Sequence, residues 1–176
     1  MGVMLHERKR AYRHLAFGLL TLLVSTSLAV TAYSGEWEEA VAAYGRGDYT
    51  TAYRLFKPMA LQGTPEAQFI LGLMYDNGRG VPQDYAMAVK WYRRAAEQGN
   101  AKAQFNLGIS YEDGQGVPQN YILAYMLFDL ASSALGEEGR ERAIKNRNSV
   151  ASKMTLEQIA EAQLLAREWK PKKEGK

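Results

Sequence analysis

The sequence predicts an all-α chain built as a solenoid of about four helical hairpins, and three observations carry that prediction. Residues 64–99 and 100–135 align at an offset of 36 with 14 identical positions, where average residue usage gives about two by chance. Each copy holds two apolar stretches at helical spacing, separated by a glycine- and proline-rich interruption. Capping residues stand where each helix must begin. A hairpin of this size cannot bury its own apolar face, so the copies stack and share a core.

Residues 1–32 stand apart from that fold. Arg8, Lys9, Arg10 and Arg13 form a basic head, and Leu15–Ala32 is an uncharged run of 18 residues. Val30-Thr31-Ala32 offers small residues for cleavage before Tyr33. The segment reads as a signal peptide; the alternative is an uncleaved anchor, because the run is just long enough to span a bilayer. Thr21, Ser25, Thr26, Ser27 and Thr31 thin its hydrophobicity and favour removal. Either reading carries the rest of the chain across a membrane, as a periplasmic or secreted bacterial protein or one anchored and facing the periplasm.

Residues 33–63 form a shorter, degenerate hairpin. Trp37–Tyr44 supplies its first helix, Gly45-Arg46-Gly47 its turn, and Asp48 the cap of its second helix. Residues 64–99 are the first full copy. Thr64 caps a helix over Pro65–Asn77, and proline at the first helical position loses no hydrogen bond. Gly78-Arg79-Gly80-Val81-Pro82 breaks the pattern, and Asp84 caps a second helix ending near Gln98. The position between the loop glycines, Arg79 here and Gln115 in the next copy, is expected to be permissive.

Residues 100–135 repeat this plan, with Asn100 capping Ala101–Asp113, the loop Gly114-Gln115-Gly116-Val117-Pro118, and Asn120 capping a helix to about Leu135. Residues 136–169 supply two capping helices, Glu137–Ser152 and Leu156–Trp169, expected to pair as a fourth hairpin. Thr155-Leu156-Glu157-Gln158 is the capping box that opens the last helix. Residues 170–176 are a basic tail, expected to be disordered from Lys172 onward.

The repeated residues resemble Sel-one-like repeats, a branch of the tetratricopeptide-like superfamily. In the first full copy Ala67, Gln68, Leu71, Gly72, Tyr75, Gly78, Gly80, Val81, Pro82, Gln83, Asp84, Tyr85, Ala88, Trp91, Tyr92, Ala95, Ala96 and Gly99 follow the family pattern. The second copy departs at Asn120, Leu127, Phe128, Ser132 and Leu135, all conservative for packing or capping except Leu135. The resemblance implies a right-handed α-solenoid and adaptor work between proteins. It also implies that Gly72 and Gly108 let the helices of a hairpin approach, over a core of Leu71, Tyr75, Trp91 and Tyr92.

Composition removes most catalytic chemistry. The only histidines, His6 and His14, lie in the targeting segment, and the chain has no cysteine. That excludes histidine-assisted nucleophiles, the usual zinc sites and thiol redox chemistry beyond residue 32. From Tyr33 onward the chain has 18 Lys and Arg against 18 Asp and Glu, so its alkaline isoelectric point comes from the two ends. Nucleic acid is therefore not an expected partner. No residue reads as catalytic, cofactor-binding or metal-ligating.

The expected function is an exported scaffold, not an enzyme, that binds a protein or peptide in the cell envelope. An envelope polysaccharide or peptidoglycan partner is the alternative, and a hydrolase using paired carboxylates a minor one. The tetratricopeptide comparison implies a strip of Trp37, Val41, Tyr44, Phe69, Leu73, Asp76, Asn77, Phe105, Ile109, Glu112 and Asp113. An apolar floor edged by acids suits a peptide with apolar anchors and basic or amide flanks. Phe69 and Phe105 read equally well as hairpin core. Asp76, Glu112 and Asp113 are expected to reach water at their helix ends.

Overall fold

The computed structural model describes residues 35–172, so the expected signal segment and the last four residues lie outside it. The described chain is helical, without a strand: α1 (35–45), α2 (Tyr49–Leu61), α3 (Pro65–Asn77), α4 (Tyr85–Glu97), α5 (Ala101–Asp113), α6 (Tyr121–Ala134), α7 (Glu137–Ala151) and α8 (Leu156–Glu168). From α2 to α6 each helix packs on the next in sequence order.

Helix starts follow the capping residues. The backbone N–H of Thr51, Met87, Ala103 and Leu123 donates to Asp48, Asp84, Asn100 and Asn120, at 3.1, 2.9, 2.9 and 3.0 Å. Each bond satisfies one of the amides a first helical turn leaves open. Thr64 holds the cap position of α3 with an extended backbone but makes no capping side-chain bond. At the far ends of α3 and α5, Gly78 and Gly114 adopt φ of 65° and 71°, a left-handed geometry that glycine enters without steric cost.

The loop between first and second helices is a stacking element as well as a turn. Gln83 Nε2 donates to the Asp76 carbonyl and Gln119 Nε2 to that of Glu112, both at 2.7 Å. A Cβ on Gly80 would strike the carbonyl of Tyr49, and one on Gly116 the carbonyl of Tyr85. The loop of each repeat thus seats on the start of the preceding repeat's second helix. Gln68 and Gln104, both buried, tie successive repeats again by donating to the carbonyls of Ala60 and Ala96 at 3.1 and 3.3 Å.

Gly72 and Gly108 make the hairpins tight. A methyl group on Gly72 would enter the Tyr92 ring, and one on Gly108 would lie 2.8 Å from Phe128 Cε1. The core follows the stack, with Phe56, Leu71, Met74 and Trp91 at one end, Tyr92 and Leu107 centrally, and Phe128 and Val150 at the other.

The C-terminal pair departs from expectation. Both α7 and α8 pack mainly on α6 and make little contact with each other. The reason is polarity: α7 buries only Ala143 and Val150, and α8 only Ala162. Neither has an apolar face broad enough to bind α6 and a partner helix together. The tail also differs, because Lys172 is placed: its backbone N–H donates to the Glu97 carbonyl at 2.8 Å, and its ammonium lies 3.8 Å from the Glu97 carboxylate.

Candidate functional site

The first helices α1, α3 and α5 share one face, and α7 closes its far side. Two hollows lie along it. The first, of about 680 Å3, is bounded by Trp37 of α1, Glu66, Phe69 and Ile70 of α3, residues 99–102, and residues 134–136. The second, of about 410 Å3, is bounded by Phe69, Leu73, Lys102, Phe105, Asn106, residues 135–136, and Gly139 and Arg142 of α7. Phe69 and Lys102 border both, so the hollows form one groove.

Four residues expected on the strip meet here: Trp37, Phe69, Leu73 and Phe105. Each is half-buried, with one side on the core and one on the groove. Trp37 sits edge-on to Phe56 at 5.3 Å, Phe69 is tilted against Tyr92 at 6.1 Å, and Phe105 against Phe128 at 5.6 Å. Phe69 and Phe105 therefore pack on core rings and also border the groove.

The remaining strip residues have other surroundings. Val41 is 46% exposed and borders neither hollow. Tyr44 lies at the loop end, where its hydroxyl accepts from Arg79 at 3.1 Å. Asn77 closes its own helix by donating to the Leu73 carbonyl at 2.8 Å. Ile109 is half-buried against the core cluster of α6 to α8.

The acids correct the expectation of a solvated rim. Asp76 is half-buried and accepts from the Tyr92 hydroxyl at 3.0 Å, while Asn106 Nδ2 donates to that same hydroxyl at 3.2 Å. Burial, reinforced by the Asp76 charge, pushes the Tyr92 hydroxyl well above the usual tyrosine range. Glu112 is paired with Lys153 at 2.9 Å, and that hydrogen bond raises the lysine's pKa. Of the three, only Asp113 is exposed.

Sequence reasoning missed Lys102, Asn106 and Arg142. Arg142 lies over the Phe105 ring at 5.9 Å, and with Lys102 it makes this part of the groove cationic. Asn106 was legible as the polar counterpart of Ile70 in the other copy. Arg142 was not, since α7 follows no repeat. Among the described residues no group of three or more acidic side chains could hold a metal ion, and no helix is long and apolar enough to cross a membrane.

The profile described as Sel1 repeat matches residues 42–64, 65–100 and 101–134, more than half of the chain. The chain belongs to the Sel1 repeat family. It is similar to a protective antigen of uropathogenic Escherichia coli strains that displays an SLR fold, with 31% identity over 78% of this chain and a TM-score of 0.70. The match spans only 29% of that antigen. It is also similar to a Sel1 repeat protein from Oxalobacter formigenes, with 35% identity, 64% of this chain and 88% of that one covered, and a TM-score of 0.56. No curated protein matches. Sel1 repeats are typically non-enzymatic scaffolds that mediate protein–protein interaction, and this chain has their architecture.

Proposed function

We propose that this Sel1 repeat chain holds a protein or peptide partner in the cell envelope, gripping an extended segment in the groove of α1, α3 and α5. The observation that carries this reading is the continuous row of half-buried Trp37, Phe69, Leu73 and Phe105 above the core. Apolar side chains held rigid and half in water gain most when a partner covers them. Lys102 and Arg142 flank the Phe105 end, so the partner carries a carboxylate there, in place of the basic or amide flank the sequence suggested. Asp76 and Glu112 are committed to Tyr92 and Lys153 and contribute little to recognition. The export reading rests on the basic head and apolar run of residues 1–32.

A photo-crosslinking residue placed at Leu73 in cells is expected to trap one predominant partner, and the same residue at exposed Lys90 of α4 is not. Lys102→Glu combined with Arg142→Glu is expected to abolish that capture while the melting temperature stays near wild type. Capture that survives the charge reversal, or is equal at Lys90, overturns the assignment to this face. Sequencing the N-terminus of exported protein tests processing, with a start near Tyr33 expected.

A further inference from the structure

Two second helices, α2 and α4, differ from the rest of the stack in the sign of their charge. Together they carry five bases and one acid, Glu97. Four of the bases fall at matched positions of successive repeats, since Arg54 and Lys57 of α2 stand 36 residues before Lys90 and Arg93 of α4. All four are exposed. Helical spacing sets them opposite the buried faces, which are Ala52, Phe56 and Ala60 on α2 and Ala88, Tyr92 and Ala96 on α4. They therefore form two short rows along the outermost line of these helices. The rows stop at α6, where the matched residues are Met126 and Asp129.

The charge of these rows is not cancelled by their neighbours. Among the described residues none of the four is ion-paired. Lys57 lies over the Tyr53 ring at 5.3 Å and Arg93 donates to the Tyr111 hydroxyl at 3.0 Å, contacts that leave each cation its charge. The nearby acids are committed. Glu97 faces Lys172 at 3.8 Å, and Asp84 caps α4. Asp48 caps α2, and its pKa is lowered first by the bond to Thr51 and last by Arg54. The remaining acids before Glu97 sit on first helices, Glu36, Glu38 and Glu39 on α1 and Glu66 and Asp76 on α3. A helix face that is only solvated mixes its signs, as α7 does with three acids and four bases.

We propose that the outer rows of α2 and α4 dock the protein on a bilayer surface bearing anionic phospholipids. Shape and charge together select this occupant. A peptide needs walls to bury its anchors, and Arg54, Lys57 and Lys90 border neither hollow of the groove. A plane of phosphates meets protruding cations without a pocket, and every Lys or Arg brought to it adds to the attraction. Leu61, 59% exposed, stands one turn beyond Lys57 on the same line, where it can enter the boundary between headgroups and acyl chains. Contact through these rows turns the first helices away from the bilayer and leaves the groove of α1, α3 and α5 open. The site stands whether or not that groove binds as proposed.

The test uses residues 33–176, which contain every described helix, and vesicles of phosphatidylglycerol and phosphatidylcholine in equal parts. Co-sedimentation is expected at low salt, is lost as salt is raised, and is absent with phosphatidylcholine alone. Lys57→Gln with Lys90→Gln is expected to weaken binding about tenfold or more at an unchanged melting temperature. Lys57→Arg with Lys90→Arg keeps the charges and is expected to bind as wild type does. Arg54→Gln, a single exposed change, is expected to weaken binding severalfold and serves if the double variant does not fold. Lys173→Gln with Lys176→Gln separates the rows from the basic tail and is expected to cost less than the double variant in the rows. The proposal is overturned by no binding to the anionic vesicles, by equal binding to phosphatidylcholine, or by row variants that bind as wild type does. An equal or larger loss from the tail variant assigns the contact to the tail and overturns it as well. A glutamate-rich peptide that binds more tightly than the vesicles, with the same dependence on Lys57 and Lys90, replaces the lipid by an acidic protein segment.

Discussion

In the first full repeat Asp76 accepts a hydrogen bond from Tyr92, whereas in the second the equivalent Glu112 faces a helix carrying Phe128 and reaches Lys153 beyond α7 instead. The ring positions are the same, and both rings press on a helical glycine, Gly72 or Gly108. The difference is one hydroxyl. With it, the first repeat closes a part-buried network of Asp76, Tyr92 and Asn106; without it, the acid is released to bind the C-terminal region. One scaffold therefore makes an internal repeat and a terminal one by small changes at matched positions.

The largest way to break this comparison is at the glycines. Gly72→Leu is expected to lower stability at or beyond the upper end of the usual overpacking cost of about 1–3 kcal/mol. Gly108→Leu is expected to cost less, because Phe128 has no hydroxyl bonds to hold its ring in place while Tyr92 has two. Urea melts of both variants check the order, and equal losses would mean that the Tyr92 network does not stiffen the ring.

Asp76→Ala comes next. It leaves the hydroxyl of buried Tyr92 without its acceptor, a loss of about 1–2 kcal/mol. Glu112→Ala is expected to cost less, since its partner Lys153 is 43% exposed and water replaces the bond readily. Thermal melts of the two single variants are the measurement.

Alkaline pH sharpens the same contrast. Burial, then the 2.9 Å hydroxyl bond to Tyr53, pushes Tyr75 up from 10.0 to about 12, and Tyr92 is raised further. A raised phenol pKa means that the folded state holds its proton more tightly than the unfolded chain. The contribution is complete below pH 10 and drains away as pH rises toward about 12. The melting temperature is expected to fall steeply in that window, and less steeply in Tyr92→Phe, which copies the second repeat.

The smallest effect is expected at Arg79→Gln, which copies Gln115. The expectation of a permissive loop position meets one obstacle: Arg79 donates to Tyr44 and lies over the Tyr49 ring at 5.2 Å. Both contacts are exposed, so a slight fall in melting temperature is expected, below that of every variant above. A fall matching Asp76→Ala would make the Arg79 contacts a principal tie between α1 and the first loop.

The sequence by itself determined the period, the helix boundaries and the turns. These are local: a capping side chain reaches an amide three residues away, and a glycine either enters left-handed φ or does not. It also marked Gly72 and Gly108 as contacts, because a glycine kept inside two helices needs a packing reason. The packing of α7 and α8 on α6, the return of Lys172 to Glu97 and the enlistment of Arg142 in the groove were decided only by tertiary structure. Each joins segments that follow no repeat, so no offset could pair them. The fate of Asp76 lies between these cases. Its change to Glu112 was visible between the copies, but a substitution that looks conservative in charge acquires meaning from what stands opposite it. Tyr92 opposite Asp76 turns a solvated acid into a half-buried acceptor.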